Sequence, residues 1–402
     1  MDLSVVELSS DQREFTESVR AFCVEHVTEE VLEHERLTGD GFNERVHLAL
    51  GQRGWIMPAW PAERGGAGLD PVRERILELE LARAEAPWVT LGTTRLVVAA
   101  VEKYADPLIR EDLLRGVAEG TVRFCLGYTE PDGGSDIAAA KVRAVRDGDE
   151  WVIDGSKIFT TGAQNCQYTF LITRTDPDLP KHKGLTMFLV PLGGPGIEIQ
   201  PIRTFGNERT NVVYFGDVRV ADTYRLGGVN DGWTVLRGPL DAEHSFGGDS
   251  SARKLADLSV GRSFVHALDR ALDTAVTWAV TPGPDGARPA DDPYVRYRLG
   301  EIEMDIQAAL CTPGPMGRVK CSEALVHGAA ALLDLVGPEA LISEGAADAL
   351  GGGRIDFAHR YAQGTATYGG TVEVFRGMIA QHVLGLPRPS FPGAKVLIQK
   401  KR

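Results

Sequence analysis

The spacing of apolar residues changes twice along this 402-residue chain, and those changes constrain its fold more than any single motif. From residue 10 to about 120 the spacing is helical, and Ser9 with Gln12 forms a capping-box pattern at its start. Short β-rich runs bounded by glycine or proline follow between residues 141 and 220. Helical spacing returns after Trp233. The pattern predicts helices, then a β region, then helices again.

The length favours two or three domains. We predict a helical domain at 1–121, a β domain at 122–232 and a helical bundle at 233–402. Inside the β domain, Arg146-Asp147-Gly148-Asp149 predicts a hairpin turn and Asp154-Gly155 a second turn. Helices in the last domain are predicted at 253–280, 294–310, 322–336 and 371–383.

Composition excludes several classes of partner. The formal net charge of -13 argues against nucleic acid, because phosphate binding needs a concentrated basic surface. The five cysteines are scattered without metal-ligand spacing, so no metal site is predicted. No apolar run reaches membrane-spanning length and no signal peptide is recognisable, so we expect no membrane association and a soluble, cytoplasmic protein.

The stretch Tyr128–Asp136, with the sequence YTEPDGGSD, follows a predicted strand and combines hydroxyls, carboxylates and a glycine turn. Gly133 and Gly134 lack the Cβ atoms that would keep a planar ligand away from the backbone. A ligand-cradling loop is one interpretation. An ordinary polar loop with an Asp-Gly turn is the other.

A second candidate is a carboxylate after the β region. Trp233, Leu236, Leu240 and Glu243 are spaced to share one face of a helix. A carboxylate held among apolar groups has a raised pKa and suits general-base chemistry. Periodicity alone favours the other interpretation, a paired carboxylate in the core or on the surface.

Three segments together resemble the acyl-CoA dehydrogenase family: YTEPDGGSD, DGSKIFTTGAQN at 154–165, and YGGTVEVFRGMIAQHVLGLPR at 368–388. The similarity extends from Gln12 to Arg388. It implies an α+β multidomain fold with an N-terminal helical domain, a middle β-barrel domain and a C-terminal four-helix bundle. The implied function is that of a flavoprotein oxidoreductase of lipid metabolism, which dehydrogenates the α,β-bond of an acyl-CoA. It would use FAD and pass electrons to electron-transfer flavoprotein or a similar acceptor.

The resemblance also implies a catalytic base. Family members place a glutamate at one of two positions, and the commoner one is occupied here by Gly369. The other lies in a Leu-Asp-x-Glu pattern, which here ends in Glu243. Glu243 would remove the α-proton while the β-hydrogen leaves as hydride to flavin N5, and a branched or ring-bearing acyl chain is plausible. The residues implied beside the substrate are Ser135, His244, Tyr368 and Gly369.

The implied FAD-binding residues lie in or just before the same segments and in a glycine-rich stretch at 349–353; they are Leu126, Tyr128, Thr129, Ser135, Phe159, Thr161, Gly352, Thr371 and Glu373. In the family, the first three line the isoalloxazine and Ser135 approaches the phosphates. Phe159 lies against the ring and Thr161 bonds its polar edge. Thr371 and Glu373 meet the adenylate. Alternatively, Phe159 packs in the core and Thr371 caps a helix.

Two departures from the family pattern concern the subunit interface. Arg288 is the only basic residue in the loop 281–293, where an arginine of the family usually reaches the FAD pyrophosphate of a neighbouring subunit. Asp348 stands where a neutral amide is usual. The loop 281–293 and the segment Lys181-His182-Lys183-Gly184 resemble the heteromeric steroid side-chain branch of the family. We therefore expect a homo- or hetero-tetramer with a related subunit. An oxygen-using flavoenzyme and a non-catalytic partner subunit remain as alternatives.

Overall fold

The computed structural model describes residues 7–243 and 261–387, with side chains described outside 239–243. Its first part is helical. Ser9 Oγ accepts from the Gln12 backbone N–H, and Gln12 Oε1 accepts from the Ser9 N–H at 2.9 Å, so the predicted capping box is confirmed. The helices are α1 (Ser10–His26), α2 (Glu29–Thr38), α3 (Glu44–Gln52), α4 (Pro71–Arg83), α5 (Val89–Tyr104) and α6 (Pro107–Glu119).

One sheet follows the first helices. Its strands are β1 (Phe124–Gly127), β2 (Arg143–Asp147), β3 (Glu150–Ile158), β4 (Tyr168–Arg174), β5 (Leu185–Pro191), β6 (Ile197–Arg203), β7 (Arg209–Ala221) and β8 (Arg225–Leu226). Their order is β6-β7-β3-β2-β4-β5-β8, and β1 pairs with β4 in parallel. This pairing places the C-terminal end of β1 next to β4.

The predicted hairpin around Asp147 is confirmed, since β2 and β3 pair in antiparallel fashion from Asp147 opposite Glu150. The second turn predicted at Asp154-Gly155 is wrong. Strand β3 continues through both residues, and its register with β7 shifts between Ile153 and Gly155. Gly155 has φ 136°, so the glycine forms a bulge inside a strand rather than a turn between two strands.

The chain then returns to helices: α7 (Gly232–Glu243), α8 (Gly261–Val280), α9 (Pro293–Leu310), α10 (Gly314–Val336), α11 (Arg354–Thr365) and α12 (Val372–Met378). Helices α8 to α11 pack around one apolar core as the four-helix bundle. The predicted class, helices on both sides of a middle β domain, is confirmed. Within the described residues, no helix is long and apolar enough to cross a membrane.

Several helix predictions in this part need correction. α10 begins at Gly314 rather than near Ser322, because a proline in the first turn of a helix removes no hydrogen bond that the helix needs. α11 was not predicted. The segment predicted at 371–383 contains α12 and then a single π-helical turn at 379–383. Residues 253–260 of the predicted long helix lie outside the described residues.

The turn between β6 and β7, residues 204–208, contacts both helical parts of the chain. Asn207 Nδ2 donates to the Arg36 carbonyl at 2.7 Å, at the end of α2. A Cβ atom added to Gly206 would lie 2.9 Å from the Tyr361 Cα in α11, so only glycine fits there. Arg360 Nη1 donates to the Phe205 carbonyl at 3.2 Å. We call these residues the β6–β7 turn.

Candidate active site

The C-terminal ends of β1 and β3 lie side by side. The Ile158 N–H donates to the Thr129 carbonyl at 2.9 Å, and Lys157 Nζ donates to the Tyr128 carbonyl at 3.2 Å. Tyr128, Thr129 and Leu126 are half-buried. The structure therefore brings together the first two segments that sequence reasoning assigned to the flavin, because β3 extends to the point where β1 ends.

A buried ion pair lies beneath this junction. Lys157 is fully buried, and its Nζ lies 2.7 Å from Glu130 Oε1. Burial lowers the Lys157 pKa to about 8, while the charge and hydrogen bond of Glu130 oppose that shift. Neither residue was predicted as functional. The available signal was that Lys157 shares the odd-numbered positions of Trp151 and Ile153, which are the buried face of β3.

Phe159 is the most unusual residue of the site. Its φ is 58°, in the left-handed region, and the residue is 58% exposed. Hydrogen bonds on its C-terminal side hold the backbone, since Thr160 N–H donates to the Asn211 carbonyl and Asn211 Nδ2 donates to the Thr160 carbonyl, both at 3.0 Å. The alternative that Phe159 packs in the core is wrong. A strained aromatic residue left exposed points to a functional constraint.

Thr161 connects the segment that contains Phe159 to β7. Its Oγ1 donates to Thr210 Oγ1 at 3.0 Å, at the start of β7. Two residues earlier, Glu208 accepts from the Tyr368 hydroxyl at 2.6 Å. Burial raises the Glu208 pKa, and its hydrogen bonds from Tyr368 and Thr204 oppose this. Tyr368 is thus connected, through residues 208–210, to the segment that contains Phe159. Sequence reasoning did not anticipate Glu208.

The turn after Tyr368 leads into α12. Gly369 and Gly370 have φ values of 53° and 93°, a backbone that favours glycine. Thr371 Oγ1 accepts from the Val374 N–H at 3.2 Å, so its interpretation as a helix N-cap is confirmed. Glu373 is exposed in the first turn of α12, where hydrogen bonds from its own backbone N–H and from Thr371 lower its pKa. The flavin roles of Thr371 and Glu373 stay predictions.

The loop that follows β1 is open. A Cβ atom added to Gly133 or Gly134 would meet no protein atom within 4 Å, so packing within the described chain does not require either glycine. Ser135 is exposed beside them. By contrast, Gly127 is closely packed against β4, because an added Cβ would lie 2.8 Å from Leu171 Cδ1 and would displace that side chain. The openness at Gly133 and Gly134 suits the approach of a ligand to the backbone.

The glycine-rich stretch lies elsewhere. Gly352 is exposed with φ 74°, and its neighbour Gly351 faces Thr274 of α8. Among the hydrogen bonds of the described residues, none joins Gly352 to the segments around Phe159. Asp348 is exposed nearby. The structure therefore does not bring Gly352 together with the other predicted FAD residues of the same chain.

Glu243 is the last described residue of α7, and its side chain lies outside the described part. His244 also lies outside the described residues. The helix continues through Pro239 to Glu243. Val235 and Leu236 are buried in the core shared by the first helices and the sheet, which fixes α7 against α5. The predicted base is therefore at the end of a helix anchored in that core.

The residues present fit FAD in two respects. The exposed Phe159 ring, held in a strained backbone next to Thr161, offers a platform for a planar ring system. The open backbone at Gly133 and Gly134 offers room for phosphate groups close to main-chain amides. Phe159, Thr161 and the loop at Gly133 and Gly134 therefore suit a flavin, while the flavin roles of the individual residues stay predictions.

Comparison with known proteins gives the class. Residues 9–121 match the acyl-CoA dehydrogenase N-terminal domain, and residues 125–218 match the acyl-CoA dehydrogenase middle domain. The chain belongs to the acyl-CoA dehydrogenase family and is an oxidoreductase of that class. Family members use FAD.

Particular relatives cover most of the chain. The acyl-CoA dehydrogenase IpdE1 of Mycobacterium tuberculosis is 31% identical over 94% of this chain and 98% of its own length. FadE29 of the same organism is 32% identical over 74% of this chain and 73% of its own. The solved structure of the Tcur3481-Tcur3483 steroid ACAD superposes with a TM-score of 0.81 and 29% sequence identity, covering 97% of this chain and 100% of the other. The ChsE4-ChsE5 complex from M. tuberculosis superposes with a TM-score of 0.80 and 27% sequence identity, covering 96% of this chain and 100% of the other.

Proposed function

We propose that this chain carries out FAD-dependent α,β-dehydrogenation of an acyl-CoA, with Glu243 as the base that accepts the α-proton. The observation that carries the proposal is that separate hydrogen bonds connect the three segments that contain Tyr128, Phe159 and Tyr368. When bound, FAD supplies the acceptor for the β-hydrogen. The proposal is further supported by the family membership of the chain.

Different residues of the chain bind the ring system, bind the phosphates and accept the proton. Phe159 and Thr161 orient the ring system, and Ser135 with the open glycine loop receives the phosphates. Tyr368 is fixed through Glu208, which in turn fixes the turn at Gly369. Gly369 has no ionisable side chain, so the proton must go to another residue, and Glu243 is the carboxylate that the family pattern offers. Closure of the site around a substrate would raise the Glu243 pKa and strengthen it as a base.

We also propose that a related subunit completes the flavin site. Arg288 Nη2 donates to Asp291 Oδ1 at 2.8 Å, and the two side chains are 54% and 53% exposed. The arginine is therefore engaged locally within its own loop. Asp348 would repel a pyrophosphate. Two solved relatives carry paired names, the steroid ACAD Tcur3481-Tcur3483 and the ChsE4-ChsE5 complex, which favours a heteromeric assembly and a steroid-tail or branched acyl group. The acceptor is electron-transfer flavoprotein or a similar carrier.

The test begins with the visible absorbance of the chain, purified alone and co-expressed with candidate family members from the same genome. Straight, branched and steroid-tail acyl-CoAs are then added without oxygen. We expect flavin bands in a co-purified complex and bleaching by one class of thioester. Glu243→Gln should lower the bleaching rate by about 10²- to 10⁴-fold while FAD remains bound. Asp241→Asn, on the same helix, is the matched control and should bleach normally.

Three results would redirect the proposal. Unaltered bleaching by the Glu243→Gln complex would assign the base to the other subunit and make this chain a non-catalytic partner. Rapid reoxidation by oxygen as sole acceptor would favour an oxidase or monooxygenase. A colourless protein with every partner would contradict the proposed function.

A further inference from the structure

The Lys157–Glu130 pair connects more than its two residues. Glu130 Oε1 accepts from Lys157 Nζ at 2.7 Å and from the Val142 N–H at 2.9 Å, and Oε2 accepts from the Lys141 N–H at 2.7 Å. Lys157 Nζ also donates to the Tyr128 carbonyl. Both carboxylate oxygens and the ammonium are therefore engaged with groups from three separate segments.

Those segments surround the proposed flavin loop. Tyr128 and Glu130 begin the loop, and Lys141 with Val142 closes it ahead of β2. Lys157 belongs to β3, two residues before Phe159. The pair thus connects both ends of the loop to the strand that presents the aromatic platform. With the Ile158 N–H to Thr129 carbonyl bond, it sets the distance between the loop and the platform.

Fold stability alone is a poor explanation for such a pair. Taking two charges out of water costs several kcal/mol per ion by order of magnitude, so an apolar pair of similar size is often as stable. What an apolar pair cannot do is hold a carbonyl and two amides in fixed directions. A fully hydrogen-bonded buried network does fix the orientation of the groups that it joins.

We propose that Lys157 and Glu130 are positioning residues for the flavin: together they fix the loop 128–142 at the distance from Phe159 that the cofactor requires. This inference rests on the proposed function. The pair acts through the backbone of Tyr128, Lys141 and Val142, and neither side chain needs to touch the flavin. The fully buried side chain of Lys157 agrees with an indirect role.

The test compares Lys157→Met and Glu130→Gln with a matched control, Lys320→Met. Lys320 Nζ pairs with Asp305 at 2.6 Å in the four-helix bundle, outside the loop, and the two side chains are 34% and 39% exposed, so this pair should be weaker than the buried one. FAD dissociation constants are measured by flavin fluorescence on the FAD-binding complex. Hydrogen exchange is measured by mass spectrometry on flavin-free protein, in peptides covering 128–142.

We expect FAD binding to weaken by about ten-fold or more in Lys157→Met, because a charge-assisted hydrogen bond is lost. Exchange in 128–142 should accelerate, and exchange in α8 to α11 should not change. Lys320→Met should match wild type in both measurements. If a single variant fails to fold, the double variant Lys157→Met with Glu130→Leu removes the unpaired charge, and it should fold yet still bind FAD weakly.

Wild-type FAD affinity in a folded Lys157→Met, Glu130→Gln or double variant would overturn the inference. So would unchanged exchange in 128–142. Failure of the proposed function looks different, because wild-type protein would then bind no FAD with any partner.

Discussion

Replacing Phe159 by alanine should destabilise the segment around it more than replacing it by glycine does. In helices and strands the order is the opposite, because glycine there is the more destabilising residue. The reason is the φ of 58°. A left-handed conformation costs an L-residue about 1–2 kcal/mol, and glycine avoids this cost. Glycine loses about 0.5–1 kcal/mol more than alanine in chain entropy on folding. The ring is absent from both variants, so the loss of its contacts is the same in both. The Phe159→Gly variant should therefore be more stable than Phe159→Ala by about 0.5–1 kcal/mol.

The assay is hydrogen exchange by mass spectrometry on flavin-free protein, in peptides covering 158–165. It reports the local opening of the Thr160 amide, which donates to Asn211, so it does not require the whole chain to unfold in one step. Ala99→Gly in α5 is the control, because that position is exposed and helical, and there glycine should be the less stable residue. Equal or slower opening in Phe159→Ala than in Phe159→Gly would refute the strain argument.

Three further predictions concern other contacts. Tyr368→Phe removes a donor to half-buried Glu208 and should cost about 1–3 kcal/mol in urea denaturation of flavin-free protein; an unchanged midpoint would contradict this. Burial lowers the His47 pKa to about 4, so between pH 6.5 and 4 the unfolded chain binds a proton that the folded chain does not. Stability should therefore fall as pH is lowered through that window, and His47→Gln should show a smaller fall, as thermal melts at several pH values would reveal. Arg288→Ala should leave the FAD affinity of the complex unchanged, since Arg288 pairs with Asp291; a marked loss in a fluorescence titration would place Arg288 at the cofactor.

Features set by neighbouring residues could be predicted from the sequence. The Ser9 capping box and the hairpin at Asp147 depend on contacts within a few positions, so their residue types were sufficient. Gly155 shows the limit. A glycine after an aspartate is typical of a turn, but pairing with β7 keeps β3 extended and converts the glycine into a bulge.

The missing helix α11 has a different reason. Its buried face includes Ala358 and Ala362, small residues that give a weak apolar signal. In the site, the segments containing Tyr128, Phe159 and Tyr368 could be assigned by resemblance. Glu208 and Glu130 could not, because a carboxylate shows its role only when a distant partner folds against it.

The β6–β7 turn has a consequence for the order of folding. It bonds to Arg36 of α2 on one side, and Glu208 bonds to Tyr368 after α11 on the other, so its contacts close chain segments of 171 and 160 residues. Contacts of such high sequence separation cost the most loop-closure entropy and are made late. The turn should acquire these two long-range contacts only after the helices and the sheet are formed. A short insertion at Gly206 would then leave each part folded while preventing their final assembly.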